Sequence, residues 1–227
     1  MSSDCQKPEG IPAMTSEWTR PEHVESYLAI KDSVPHRDAG EATLLAEIPR
    51  NSQRILDLGC GDGHLLSLTL DHCPEATGVG LDFSPAMLQR ARERFAANHR
   101  VSLVDHNMET PLPELGTFDV VVSSFAIHHC EHHRKRDLFA EIFEFLRPGG
   151  VFCNLEHVAS ATPAIHDRFL EAMRATNDVE DPSNRLLDVE TQLRWLRELG
   201  YEDVDCHWKW RELALLCGRR AEAELLA

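Results

Sequence analysis

Between residues 50 and 155 the chain repeats one rhythm: a short apolar run, then a stretch with apolar positions at helical spacing. Ile55 to Leu58 is the first run and ends in glycines, after which Leu65, Leu66, Leu68 and Thr69 continue as a helix that Pro74 stops. Val79 to Asp82 is the second run. Ser84 and Pro85 then supply an N-cap and a first-turn proline for a helix with Met87, Ala91 and Phe95 on one face. Val101 to Val104 is a third strand, and Phe118 to Ser123 is apolar enough for a strand covered on both faces. Leu138, Phe139, Ile142, Phe143 and Leu146 mark an amphipathic helix ending in Arg-Pro-Gly-Gly, and Val151 to Leu155 is a fifth strand. Such alternation predicts right-handed crossovers and a doubly wound, Rossmann-like α/β sheet.

The flanks depart from this rhythm. Residues 1–17 read as a loose leader. Val24 and Leu28, then Ala42, Leu45 and Ile48, predict a helical flap over 18–48. Residues 160–187 hold a helix with Ile165, Phe169 and Met173, followed by the polar stretch NDVEDPSNR, and read as an inserted cap. Over 188–220, Asp188 caps a helix through Val189, Leu193 and Leu196 that closes at Gly200, and strands near 203–209 and 212–217 follow. A turn at Trp210-Arg211 pairs them as an antiparallel hairpin at the sheet edge. The expectation is one domain over 1–227, with its core at 50–155.

Composition narrows the partners. With 42% hydrophobic and 27% charged residues, the chain can bury a core. A net charge of −15 repels phosphate backbones, which disfavours nucleic acid as a partner. The apolar runs are too short to span a membrane, and the N-terminal residues lack the basic-then-apolar order of a secretory signal. The 7 cysteines are scattered without CxxC pairs, so a reducing, cytoplasmic setting is expected. A homodimer is left open.

The chemistry centres on the turn Asp57-Leu58-Gly59-Cys60-Gly61-Asp62-Gly63, which follows a strand and opens a helix. Ligands of open α/β sheets sit beyond the carboxyl ends of the strands, where glycines admit them to the backbone. A dinucleotide site needs G-x-G-x-x-G, whereas this turn reads G-x-G-x-G and carries two carboxylates. Those repel a pyrophosphate and suit a cation. Asp82, at the end of the next strand, stands where two ribose hydroxyls are taken. The ligand reads as a positively charged nucleoside, which disfavours a nicotinamide dehydrogenase.

These features resemble the class I S-adenosylmethionine-dependent methyltransferases of the small-molecule type 11/12 kind. The resemblance covers roughly residues 50–220. It is carried by LDLGCGDG (56–63), GLDFSPAML (80–88), FDVVVSSFAIHH (118–129) and LRPGG (146–150). It implies a seven-stranded sheet with a reversed final hairpin and S-adenosylmethionine as cofactor. Gly59, Gly61 and the backbone near Cys60 would hold the methionine part, with Asp57 close to its ammonium. Asp82 would bind the ribose, and Phe83 and Met87 would pack on the adenine. Asn107, next to Met108, stands where the family usually has an aspartate facing the adenine amino group, with Asp105 as the alternative. Ser123 and Ser124 would lie near the sulfonium.

The expected reaction is methyl transfer to an oxygen or nitrogen atom of a small-molecule acceptor. His128, Glu156 and His157, near the ligand-facing sheet end, are the candidates for orienting the acceptor or removing its proton, and His128 or His129 is expected to line its pocket. The cluster His128-His129-Cys130-Glu131-His132-His133 invites a zinc reading if it is helical, but no second set of ligands is identifiable, so no metal is assigned. Arg37 is read as a solvated flap residue. Within the superfamily, Val34-Pro35 and the segment 84–87 are also similar to a carboxy-S-adenosylmethionine synthase, and an RNA-directed enzyme is a further alternative. A non-catalytic cofactor-binding subunit is the alternative from another class.

Overall fold

Seven strands form one mixed sheet: β1 (Arg54–Leu58), β2 (Thr77–Asp82), β3 (Val101–Asp105), β4 (Phe118–Ser124), β5 (Leu146–His157), β6 (Glu202–Trp210) and β7 (Leu213–Arg219), in the order β3-β2-β1-β4-β5-β7-β6. The computed structural model describes residues 17–31, 34–174, 181 and 183–222, so the leader expected over 1–17 lies, but for residue 17, outside the described residues. Strands β1 to β5 run parallel, and β7 runs antiparallel between β5 and β6. Among the described residues, no helix is long and apolar enough to cross a membrane.

Strand alternation explains why both faces are covered. Ile55, Val120, Val122, Val151 and Cys153 face one side, where α2 (Arg37–Glu47) and α3 (His64–His72) bury Leu44, Leu65, Leu66 and Leu70. Their neighbours Leu56, Leu58, Val121 and Phe152 face the other side, where α5 (His132–Phe145) and α7 (Val189–Glu198) bury Leu138, Phe139, Ile142 and Leu196. Two apolar faces per strand require two helical layers. The remaining helices are α1 (Pro21–Ile30) in the flap, α4 (Pro85–Arg94) after β2, and α6 (Pro163–Arg174) in the cap.

Several boundaries differ from the sequence expectation. β5 begins at Leu146, because Leu146 already pairs with Phe118 and Gly149, at φ 79°, donates its amide to Arg220 O. Glu156 and His157 pair with Ala214 and Leu213 of β7 and are the last residues of that strand, not a loop after it. The hairpin turns at Arg211-Glu212, one residue later than expected, with Arg211 at φ 53°. The histidine cluster does not form one helix: Ile127–His129 is a 3-10 turn, and α5 starts at His132. Arg37 is not solvated, since its Nε donates to Glu41 Oε1 at 2.8 Å and its guanidinium lies 5.4 Å from the Phe125 ring centroid. Part of the cap, 175–180 and 182, falls outside the described residues.

Candidate active site

The carboxyl ends of β1, β2 and β4 open into a cleft. Its floor is the turn after β1. Gly59 and Cys60 donate their amides to Leu81 O at 2.8 and 3.0 Å, which folds the turn back over β2. Gly59 takes φ 69°, and a Cβ there would meet Ala126 Cβ at 2.2 Å, so only glycine fits between the two loops. Asp82 braces the turn, with Oδ2 accepting from the Gly61 amide and Oδ1 from the Ser84 amide, each at 2.8 Å. Each oxygen keeps a lone pair for a ligand. Phe83, Met87, Asn107 and Met108 continue the wall on this side, and Ser124, Phe125 and His129 form the other.

One buried carboxylate points to a polar, cationic occupant. Asp57, beneath the turn, has no side-chain hydrogen-bond partner among the described residues, and only the Leu66 amide lies against it. Burial first, and the Asp82 charge second, push its carboxyl up to about 8. Burial also raises Asp82. A buried carboxylate without a cation is poorly satisfied, and an ammonium or sulfonium group relieves it. Ser124 Oγ is likewise buried and unpartnered, whereas Ser123 Oγ is spent on Leu58 O at 2.8 Å.

Not every expected residue reaches the cleft. Gly59, Gly61, Asp82, Phe83, Met87, Asn107, Met108 and Ser124 line it, and Asp57, Cys60 and Ser123 sit behind it. Asn107 Oδ1 already accepts from the Glu109 amide at 3.0 Å, which shapes the loop after β3. Asp62 does not face a ligand. Lys31 and Arg94 neutralise it at 2.8 and 2.7 Å, and these contacts outweigh burial in lowering its carboxyl.

The three residues named for acceptor chemistry are brought together, but behind the wall. His128 Nδ1 meets Glu156 Oε1 at 2.7 Å, and burial drives both towards their uncharged forms. His157 packs 5.8 Å from the His128 ring and places Nε2 3.0 Å from Glu212 Oε2. His129, not His128, lines the cleft.

The sequence leads us to expect the flap (18–48) and the cap (160–187) to close over the acceptor, but it does not single out Trp18, Glu212 or Ser183. Trp18 closes the cleft, its carbonyl accepting from Ser84 Oγ at 2.6 Å and its ring edge-on to Tyr27 and His129 at 5.2 and 5.3 Å. Glu212, fully buried in the hairpin turn, also accepts from His166 of α6 at 2.9 Å and from Ser160 at 2.5 Å. Ser183 clamps His129 from the segment after α6. Only the aromatics of the flap carried any signal, through their bulk in an otherwise polar stretch. Phe125, at φ 50° between β4 and the 3-10 turn, holds a strained conformation at the cleft's edge.

A doubly wound sheet in this strand order, with a glycine turn beneath a cleft of buried carboxylates, defines a nucleoside-binding class of α/β protein. Residues 55–150 match the family described as a methyltransferase domain. The trans-aconitate 2-methyltransferase of Deinococcus radiodurans is 37% identical over 147 residues, 63% of this chain and 50% of that protein. A malonyl-[acyl-carrier protein] O-methyltransferase of a Paenibacillus species is 28% identical over 189 residues, 75% of this chain and 67% of that protein. Human N-acetylserotonin methyltransferase, solved in complex with S-adenosylmethionine, shares the fold at a TM-score of 0.67 and 18% identity, over 93% of this chain and 61% of that one. Over residues 55–150 the chain carries a methyltransferase domain and is similar to these enzymes. It matches about half the length of the first of these relatives.

Proposed function

We propose that this protein transfers a methyl group from S-adenosylmethionine to an oxygen or nitrogen atom of a small-molecule acceptor. The observation that carries this reading is the pair of buried carboxylates, Asp57 and Asp82, at the ends of adjacent parallel strands, Asp57 without a side-chain or cationic partner among the described residues and Asp82 held by two backbone amides with lone pairs to spare. Asp82 would take the ribose, Phe83, Met87 and Met108 would pack on the base, and Asp57 would balance the ammonium. Bound S-adenosylmethionine supplies a methyl group on a positively charged sulfur that departs as a neutral thioether.

The chain's own part is to place the acceptor and exclude water. Trp18 and Tyr27 roof the cleft, and an acceptor held within about 3–3.5 Å of the transferred carbon supplies much of the rate. His128, Glu156 and His157 support this from behind, the His128 ring lying 4.0 Å from that of His129.

Calorimetry with S-adenosylmethionine, S-adenosylhomocysteine and NADH tests the reading, on the native protein and on Asp82→Ala and Asp82→Asn. Micromolar binding of the first two, lost in both variants, supports it. A folded protein that binds neither, or binds NADH instead, overturns it.

A further inference from the structure

Ser183 has a single hydroxyl proton, and its surroundings dictate where that proton goes. Its Oγ lies 2.7 Å from Asp181 Oδ1 and 2.8 Å from His129 Nδ1. Burial alone would raise the Asp181 carboxyl, but the hydrogen bonds from the Ser183 amide and hydroxyl outweigh it and lower it, which keeps Asp181 ionised. A carboxylate only accepts, so the serine proton goes to Asp181. The serine oxygen must then accept a proton from His129 Nδ1.

The consequence falls on the other ring nitrogen. Burial first, and His128 second, hold His129 neutral, against the opposing pull of Asp181 and Glu156. A neutral ring protonated at Nδ1 carries a lone pair at Nε2. Among the described residues nothing hydrogen bonds to Nε2, and His129 lines the cleft beside Ser124, Phe125 and Cys130.

The charge of the cleft limits what can meet that nitrogen. Among its described lining residues there is no lysine or arginine, and the acidic ones are Asp82, Glu109 and Glu131. A carboxylate acceptor, of the kind named for the aconitate relative, would enter against those charges and bring no proton for Nε2 to take.

We propose that His129 Nε2 is the base of this enzyme, that Ser183 and Asp181 are positioning residues which fix its tautomer, and that the acceptor is a hydroxyl or an amine. The proposal rests on the methyl-transfer reading above. The acceptor's O–H or N–H bond breaks with its proton passing to Nε2. Its electron pair forms the new bond to the methyl carbon, the carbon–sulfur bond breaks with its pair left on sulfur, and the imidazolium returns its proton to water.

The tautomer is measured directly, by nitrogen-15 NMR of the full chain labelled at histidine, with S-adenosylhomocysteine present and His129→Gln for assignment. The expected result is a neutral His129 protonated at Nδ1, shifting towards the Nε2-protonated form in Ser183→Ala and in Asp181→Asn. The opposite tautomer in the native protein, or no change in either variant, overturns the proposal. Turnover is then followed with unsubstituted phenol, phenethylamine and trans-aconitate as probe acceptors, at a pH where the phenol is not ionised. Methylation of the phenol or the amine that falls about 10²–10⁴-fold in His129→Gln, with cofactor binding intact, supports it. Methylation of trans-aconitate at an unchanged rate in His129→Gln overturns it. Failure of the native protein to bind S-adenosylmethionine sinks the parent reading instead, whatever the tautomer.

Discussion

His166 Nδ1 lies 2.9 Å from Glu212 Oε1, and that contact ties the cap helix to the turn of the terminal hairpin. Glu212 takes His157 with its other oxygen, so one carboxylate joins α6, the end of β5 and the β6–β7 turn. Burial alone would raise this carboxyl, but the three donors His157, Ser160 and His166 outweigh it and lower it. A depressed folded-state value means the stabilisation is present above the ordinary glutamate range and is lost as pH falls through the folded value. Glu212→Gln should therefore destabilise the protein by about 1–3 kcal/mol at pH 7 and much less in acid. It should also speed hydrogen exchange in α6 before the sheet core. Thermal melts across pH, with exchange mass spectrometry, check both.

Asp57 carries the opposite sign. Its carboxyl is raised to about 8, so the folded protein holds a proton that the unfolded chain releases near pH 4. Stability contributed by this group is full in acid and falls as pH rises from about 4 to about 8. Asp57→Asn should raise the melting temperature at pH 8, by about 1–3 kcal/mol of stability, while weakening binding of S-adenosylmethionine. A variant that melts lower at pH 8 and binds as tightly as the native protein contradicts both halves.

The glycine turn separates two kinds of requirement. Gly61→Ala meets only the cost of a left-handed conformation, about 1–2 kcal/mol, because the nearest atom to its new Cβ is Met87 Sδ at 3.7 Å. Gly59→Ala adds a collision with Ala126 at 2.2 Å and should destabilise the protein by several kcal/mol more or abolish folding. Denaturant titration of the two variants side by side gives the ranking.

Ser84 serves two elements at once, accepting from the Met87 amide at 3.4 Å as the cap of α4 and donating to Trp18 O. Ser84→Ala should lower stability by about 1 kcal/mol. It should also change the fluorescence of Trp18, whereas Pro85→Ala should affect the helix alone. Comparing native spectra with those of Trp18→Phe isolates the signal.

The parallel core was legible because Ile55 to Leu58 and Phe118 to Ser123 are buried on both faces, and continuous apolar runs report that directly. The cofactor side was legible for a related reason, since Gly59 and Asp82 are set by backbone geometry local to their own strand ends. Glu212 was not. Its burial depends on His157, Ser160 and His166, which come from sequence positions up to 55 residues away, and no local pattern announces such a convergence. The choice between His128 and His129 was equally hidden, because it turns on one 3-10 turn and on Ser183 returning from beyond the cap.

The position of β7 sets an order of assembly. β5 has β4 on one side, but its other neighbour is β7, the last strand among the described residues, so the β5 edge stays unpaired until residues 213–219 are present. An emerging chain thus completes its cofactor half first and holds an open sheet edge beside Glu156 and His157 in the meantime.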